Sequence, residues 1–264
     1  MKHKFLWVVS SLALIACTPE KQQETEDYTQ YVNPFIGTDF TGNTYPGAQV
    51  PFGMVQLSPD NGLPGWDRIS GYFYPDTTIA GFSHTHLSGT GAGDLYDISF
   101  MPVTRPYKEA PAPLGIYSTF SHNDEAASAG YYRVLLQDYN INVELTATER
   151  CGIQRYTFPK AEASVFLNLK KAMNWDFTLD SRIEVVDSVT IRGYRFSQGW
   201  SPLQHVYFET RFSKPFVAYQ MDTTAIATKD RGRIGTAYIA RFDFNTEKDE
   251  EILVTTGISG TSME

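Results

Sequence analysis

Asn140-Ile141-Asn142-Val143-Glu144-Leu145-Thr146-Ala147-Thr148 alternates polar and apolar residues without a break. Successive side chains of a strand point to opposite faces. Ile141, Val143, Leu145 and Ala147 therefore share one face, and Asn142, Glu144, Thr146 and Thr148 share the other. A helix would scatter the same four apolar residues around its circumference. The stretch reads as a half-buried strand. Residues 204–213 repeat the pattern, with Val206, Phe208 and Phe212 opposed to Tyr207, Glu209 and Arg211. Residues 164–169, 189–196, 216–221, 237–244 and 252–256 alternate in the same way, and residues 95–103 also read as a strand. Turn residues separate these runs at short intervals, and no stretch beyond residue 30 carries a helical stripe over three turns. Many short strands with regular turns predict an all-β chain folded as an antiparallel β-sandwich.

Upstream of the strands the character changes. Residues 33–94 hold more than half of the 20 glycines, together with Pro34, Pro46, Pro51, Pro59, Pro64 and Pro75. Long Gly/Pro-rich N-terminal loops of this kind are uncommon in a domain unless they carry function. The 264 residues suffice for a real core, and 42% apolar with 20% charged residues is an ordinary globular balance. Aromatic residues reach 14%, which suits strands and also surfaces that stack on sugar rings. A net charge of −8 excludes the basic footprint that a nucleic-acid partner requires.

The first 17 residues read as a targeting segment. Lys2 and Lys4 precede an apolar run, Phe5 to Ile15, too short to span a bilayer as a stable helix, and the run closes on Ala16-Cys17. This pattern resembles a bacterial lipoprotein signal with Cys17 as the lipidated residue; an ordinary signal peptide with an incidental cysteine is the alternative. Lipidation would anchor the protein, since each buried methylene contributes roughly 0.8 kcal/mol. Residues 18–30 are polar and acidic, as in a flexible tether, and residues 31–264 form the domain. With Cys17 lipidated, Cys151 has no partner for a disulfide, and its strand setting suggests a buried structural thiol.

The densest polar cluster is Gly81-Phe82-Ser83-His84-Thr85-His86-Leu87-Ser88-Gly89-Thr90-Gly91-Ala92-Gly93-Asp94. If the segment is extended, His84 and His86 point to one side. They then line a polar ligand site, bind a transition metal or bond within the loop; zinc needs a third protein ligand, and none is evident. The glycines at 89, 91 and 93 precede a strand rather than a helix, so a dinucleotide loop is excluded. Gly65-Trp66-Asp67-Arg68 places a Trp in a turn, where an indole stacks on a sugar ring while charged neighbours bond its hydroxyls, or plugs the sandwich end. Trp175 and Trp200 share that ambiguity. Asp94 with Asp97 and Glu144 with Glu149 are close carboxylate pairs, but sequence spacing does not show the separation a glycosidase needs.

Tyr31-Val32-Asn33-Pro34-Phe35-Ile36-Gly37-Thr38 and the run from Tyr45 to Asp60 resemble the opening of glycoside hydrolase family 92. Gly81 to Gly91, Leu145 to Arg150, and Gly193-Tyr194-Arg195-Phe196 through Gly199-Trp200 continue the match. The resemblance implies the N-terminal, galactose-mutarotase-like supersandwich domain of a calcium-dependent, inverting, exo-acting α-mannosidase. It implies a mannose-containing glycan (N-glycan or mannan) as substrate and a C-terminal (α/α)6 barrel carrying the general acid, general base and calcium ligands. This sequence ends soon after residues 252–256, so no catalytic residue and no metal ligand is carried over. The matching loops point to Asn43, Trp66, Asp67, His84, His86 and Thr90 as substrate-binding residues of a domain inactive alone. That reading predicts an uncovered apolar surface where the barrel docks. Two alternatives remain: a free-standing, membrane-anchored glycan-binding lipoprotein, and a metal-dependent hydrolase built on His84 and His86. The expected location is outside the cytoplasm, lipid-anchored to the bacterial outer membrane on its periplasmic or outer face.

Overall fold

The computed structural model describes residues 26–89, 91–171, 174–227 and 234–263. Strands are numbered in chain order. One sheet has seven strands in the order β1-β2-β4-β5-β13-β18-β17. These are β1 (Ala48–Gln49), β2 (Gln56–Asp60), β4 (Gly81–Ser83), β5 (Ser99–Thr104), β13 (Ala161–Asn168), β18 (Ile234–Thr246) and β17 (Ala218–Ala227). The other has eight, in the order β14-β15-β16-β19-β12-β11-β10-β9. They are β14 (Phe177–Val185), β15 (Thr190–Gln198), β16 (Gln204–Phe212), β19 (Glu250–Ser259), β12 (Cys151–Phe158), β11 (Ile141–Ala147), β10 (Tyr131–Leu136) and β9 (Glu125–Ser128). Two small ribbons, β3 (Thr78–Ile79) with β8 (Ser118–Thr119) and β6 (Glu109–Ala110) with β7 (Gly115–Ile116), complete the set. The neighbouring strands pair antiparallel, and the only helices among the described residues are three 3-10 turns. The antiparallel sandwich expected from the alternation is the fold observed.

The eight-stranded sheet shows why the period of two was legible. In β11, Ile141, Val143 and Leu145 are buried while Asn142 and Glu144 are half-buried on the wet face. Glu144 there accepts from Arg155 and Tyr131, so it belongs to a surface ion pair rather than a catalytic pair. β19 repeats the pattern with Ile252, Val254 and Ile258 inward. The inner faces meet in a continuous core that includes Phe212, Phe216, Phe242 and Phe244. Each such side chain contributes roughly 1.5–3 kcal/mol on burial.

The seven-stranded sheet is different because both of its faces are covered at the centre. Ser99 to Val103 are all buried, inward and outward residues alike. The outward face lies under residues 105–117, where Tyr107 packs edge-on against Phe166 at 5.2 Å. Two expectations need correction. Residues 95–98 are not strand: Leu95, Tyr96 and Ile98 have φ of 81°, 67° and 55°, and pairing begins only at Ser99. Cys151 opens β12 half-buried, facing Gly257 across the ladder, rather than enclosed. Cys17 lies outside the described residues, as does Thr90.

Candidate functional site

The histidine segment leaves β4 at Ser83 and bends at His84, so the extended geometry that would align the two imidazoles is not met. His84 continues the inward face. Its ring sits where a Cβ on Gly152 of the opposite sheet would come within 2.6 Å, so a glycine there makes room for it. Burial pushes His84 down to about 4, leaving it neutral. Nδ1 donates to the Ile98 carbonyl at 2.7 Å, and Nε2 has no partner among the described residues. His86 turns to the other face of the sheet. Its Nδ1 donates to the Gln56 carbonyl at 2.7 Å, and its Nε2 lies 2.9 Å from Asp60 Oδ1 and 3.1 Å from Ser83 Oγ. The two rings do not converge. No group of three His, Cys, Asp or Glu gathers as for a metal ion among the described residues, so nothing described supplies the third ligand that zinc on this pair would need.

Both histidines instead support the loops of one sandwich end. Asp60 bonds His86 on one side and Lys171 Nζ, at 3.2 Å, on the other. Burial raises its pKa, but the Lys171 charge and the His86 bond outweigh this and hold it below the usual carboxylate range. Thr85 donates to Asp97 at 2.7 Å, and Asp97 in turn accepts from Arg195 at 2.6 Å. Arg195 is fully buried at an inward position of β15. It also bonds Asp176, Thr178 Oγ1 at 3.0 Å and the Lys171 carbonyl at 3.1 Å. One guanidinium thus clamps the histidine loop to the segment that carries Trp175.

Further bonds tie the remaining loops together. Gly65 N–H donates to Asn174 Oδ1 at 3.0 Å, Trp175 N–H to the Gly93 carbonyl at 3.2 Å, and Gly89 N–H to the Asn43 carbonyl at 2.6 Å. Asp94 accepts from the backbone N–H of Trp200 at 2.9 Å and from Ser201 at 3.4 Å, so the Asp94–Asp97 pair is structural. On this framework Trp66 is 57% exposed and Trp175 50%, with ring centroids 6.3 Å apart and planes inclined by 57°. Trp66 opens the 3-10 turn Trp66–Arg68, and its indole lies along the backbone at Gly91, where a Cβ would come within 3.1 Å of it. Asp67, half-buried beside it, has no hydrogen-bond partner among the described residues. Arg68 is not available to a sugar: it forks onto Asp76 at 2.5 and 2.6 Å and lies over Phe73. Asn43 holds a left-handed turn at φ 51° with its side chain buried, Oδ1 unpaired and Nδ2 3.4 Å from the Thr41 carbonyl. Of the residues expected at the site, Trp66 and Asp67 present side chains to the surface, whereas Asn43, His84 and His86 shape the loops from beneath.

Glycosyl hydrolase family 92 matches this sequence through its N-terminal domain over residues 31–259. The chain belongs to that family. A family 92 α-mannosidase of Bacteroides thetaiotaomicron, solved in complex with mannoimidazole, is 40% identical and superposes with a TM-score of 0.81. That match covers 89% of this chain and 32% of the other. An inverting family 92 mannosidase of Bacteroides thetaiotaomicron VPI-5482 is 25% identical with a TM-score of 0.71, covering 90% of this chain and 33% of its own. An uncharacterized secreted glycosidase of Arthroderma benhamiae is 28% identical over 147 residues, 52% of this chain and 18% of the relative. The chain therefore spans about a third of the solved family 92 mannosidases. Among the described residues no helix is long and apolar enough to cross a membrane.

Two groups escaped the sequence reading. Arg195 sits in the alternation Ile191, Gly193, Arg195, Ser197, all buried, so a charged residue at an inward position was the available signal. Asp176 carried none. Burial pushes it up to about 6, with the neighbouring Asp97 charge adding to the rise against the pull of Arg195. A raised carboxyl binds its proton more tightly in the folded chain than in the unfolded one. Its contribution to stability is full below the ordinary value of 3.8 and is lost as pH rises through about 6. The difference is on the order of 3 kcal/mol. Asp176→Asn is expected to flatten the stability profile between roughly pH 4 and 6.5 without destabilising the protein at pH 7.5. Urea unfolding across that range checks it; an unchanged slope in the variant would exclude Asp176 as its source.

Proposed function

We propose that this chain is the substrate-pocket-completing domain of an inverting α-mannosidase that degrades mannose-containing glycans. The observation that carries the reading is the Trp66–Trp175 pair, half-exposed beside the Asp67 carboxylate on loops held by buried ion pairs. An indole stacks on the apolar face of a pyranose, and a nearby carboxylate accepts from its hydroxyls. Phe40, Phe177 and Trp200 are each at least 44% exposed, and exposed aromatic side chains of this kind suit a domain that docks against another.

The division of labour follows from the chemistry of inversion. Water must fit between the general base and the anomeric carbon, so the two carboxylates stand about 6.5–9.5 Å apart. We place both on an (α/α)6 barrel that follows this domain. The sandwich loops bind and orient the sugar and exclude water from its flanks. Calcium belongs to that barrel in this reading, and no step assigned to this domain runs through it. Cys17 is the proposed point of lipidation, with residues 18–30 as the tether to the outer membrane.

Trp66→Ala and Trp175→Ala are each expected to weaken methyl α-mannoside binding about tenfold, or about 1.4 kcal/mol, in calorimetric titrations. Unchanged affinity in both variants would remove the loops from the sugar site. If the chain by itself binds as tightly as a barrel-bearing form, the free-standing glycan-binding lipoprotein becomes the better description.

A further inference from the structure

A cleft of about 560 Å³ lies on the outward face of the seven-stranded sheet, roofed by residues 107–116 and their β6–β7 hairpin. Register fixes its floor. Met101 pairs with Phe166, Phe166 with Arg241 and Arg241 with Gln220, so these four side chains form one row across β5, β13, β18 and β17. Ser99, Asn168, Ile239 and Asp222 form the next row by the same pairings. Directly opposed residues of a sheet share a face, and four strands span about 14 Å. Tyr107 and Leu114 close the cleft from above.

The floor is amphipathic in a particular way. Ile239 and the overlying Tyr107 give the cleft its apolar surface, with Phe166 and Met101 almost covered beneath them, and polar groups lie on either side. Lys171, whose side chain is 8% exposed, lines the inner end. It spends two N–H donors on Asp60 Oδ2 at 3.2 Å and the Ala80 carbonyl at 3.4 Å. An ammonium has three donors, so one remains for an occupant. At the outer end, on the exposed edge strand, Asp222 accepts from Gln220 Nε2 at 3.2 Å, and its carboxylate and the Gln220 amide oxygen offer further acceptors.

Charge decides between ionic and neutral ligands. Arg241 is committed to Asp243 at 2.9 and 3.2 Å, and Lys171 to Asp60. What is left is the Lys170 ammonium against the Asp222 and Glu109 carboxylates, which offers no excess positive charge to hold an anion. A volume of this order matches a small organic ligand, and an apolar surface flanked by donors and acceptors matches a hydroxylated ring. We infer that this cleft is a second carbohydrate site, taking an uncharged disaccharide whose ring lies against Ile239 and Tyr107 between Lys171 and Asp222. It has none of Trp66, Asp67 and Trp175 in its lining and stands whether or not those residues bind sugar.

The test is chemical-shift mapping of the full chain titrated with α-mannobiose, cellobiose and maltose. At least one disaccharide is expected to shift resonances of Tyr107, Phe166 and Gln220 saturably. Leu114→Trp, which fills the cleft, and Asp222→Ala, on the exposed edge strand, should each weaken that binding at least tenfold, while Trp66→Ala should not. Two variants, one in the hairpin roof and one on the edge strand, guard against one that misfolds. Saturable shifts confined to the Trp66 loops, no shifts with any of the three sugars, or binding indifferent to both cleft variants would overturn the assignment.

Discussion

Replacing Arg195 with leucine is expected to cost the domain about 3–5 kcal/mol of unfolding free energy. The guanidinium is fully buried and bonds two carboxylates, Asp97 and Asp176, which are themselves almost inaccessible. Leucine removes the charge and strands both anions away from water. Their own burial then has nothing to offset it, and the backbone carbonyl of Lys171 and Thr178 Oγ1 lose a donor as well. Adding Asp97→Asn and Asp176→Asn to Arg195→Leu should recover much of the loss, because the cost comes from unpaired charge rather than from lost volume. Urea midpoints for the single and triple variants measure this. A loss below about 1 kcal/mol in the single variant would mean that water reaches the triad and that the clamp is not structural. Indole fluorescence adds a functional readout, since the same change frees the segment bearing Trp175 from the histidine loop.

The fold was legible where one face of a sheet meets water. β11, β15, β16 and β19 alternate in sequence and alternate in burial, with Thr210 inward in β16 only because Thr256 meets it at 2.8 Å. It was less legible in β5, where the cover of residues 105–117 buries both faces and erases the alternation. Residues 95–98 misled because apolar character does not report backbone hand: three non-glycine residues in the left-handed region turn the chain before Ser99 pairs. The site was half legible. Trp66 and the histidine segment stand out by composition. Their meeting with Trp175 does not, because it depends on the chain leaving one sheet at β13 and entering the other at β14, which brings residues 109 positions apart into contact. The division between side chains that face a ligand and those that brace the loops rests on the same crossing. His86 bonds Asp60 across 26 positions, and no local pattern encodes that pair.

Gly193→Ala is expected to be among the most damaging single methyls in the domain, at about 4 kcal/mol or more. A Cβ at Gly193 would lie 1.9 Å from the carbonyl oxygen of Arg182 and 3.0 Å from the Phe208 ring. The first of these is backbone of the paired strand, so no rotamer relieves it; β14 must move away by more than an ångström and give up ladder bonds. Gly199→Ala makes a closer approach, 1.5 Å from Asp94 Oδ1, yet should cost less, about 2 kcal/mol. There the obstacle is a side chain that can swing aside, at the expense of the bonds it accepts from Trp200 and Ser201. At Gly89 nothing lies within 4 Å, and only the φ of +68° resists a side chain, worth about 1 kcal/mol. The order of damage is therefore set by what must yield, not by distance alone. Thermal unfolding of the three variants tests it. Gly193→Ala ranking below Gly199→Ala would mean that β14 gives way easily, and the two-sheet clamp built on Arg195, two residues along the same strand, would have to be looser than its bonds imply.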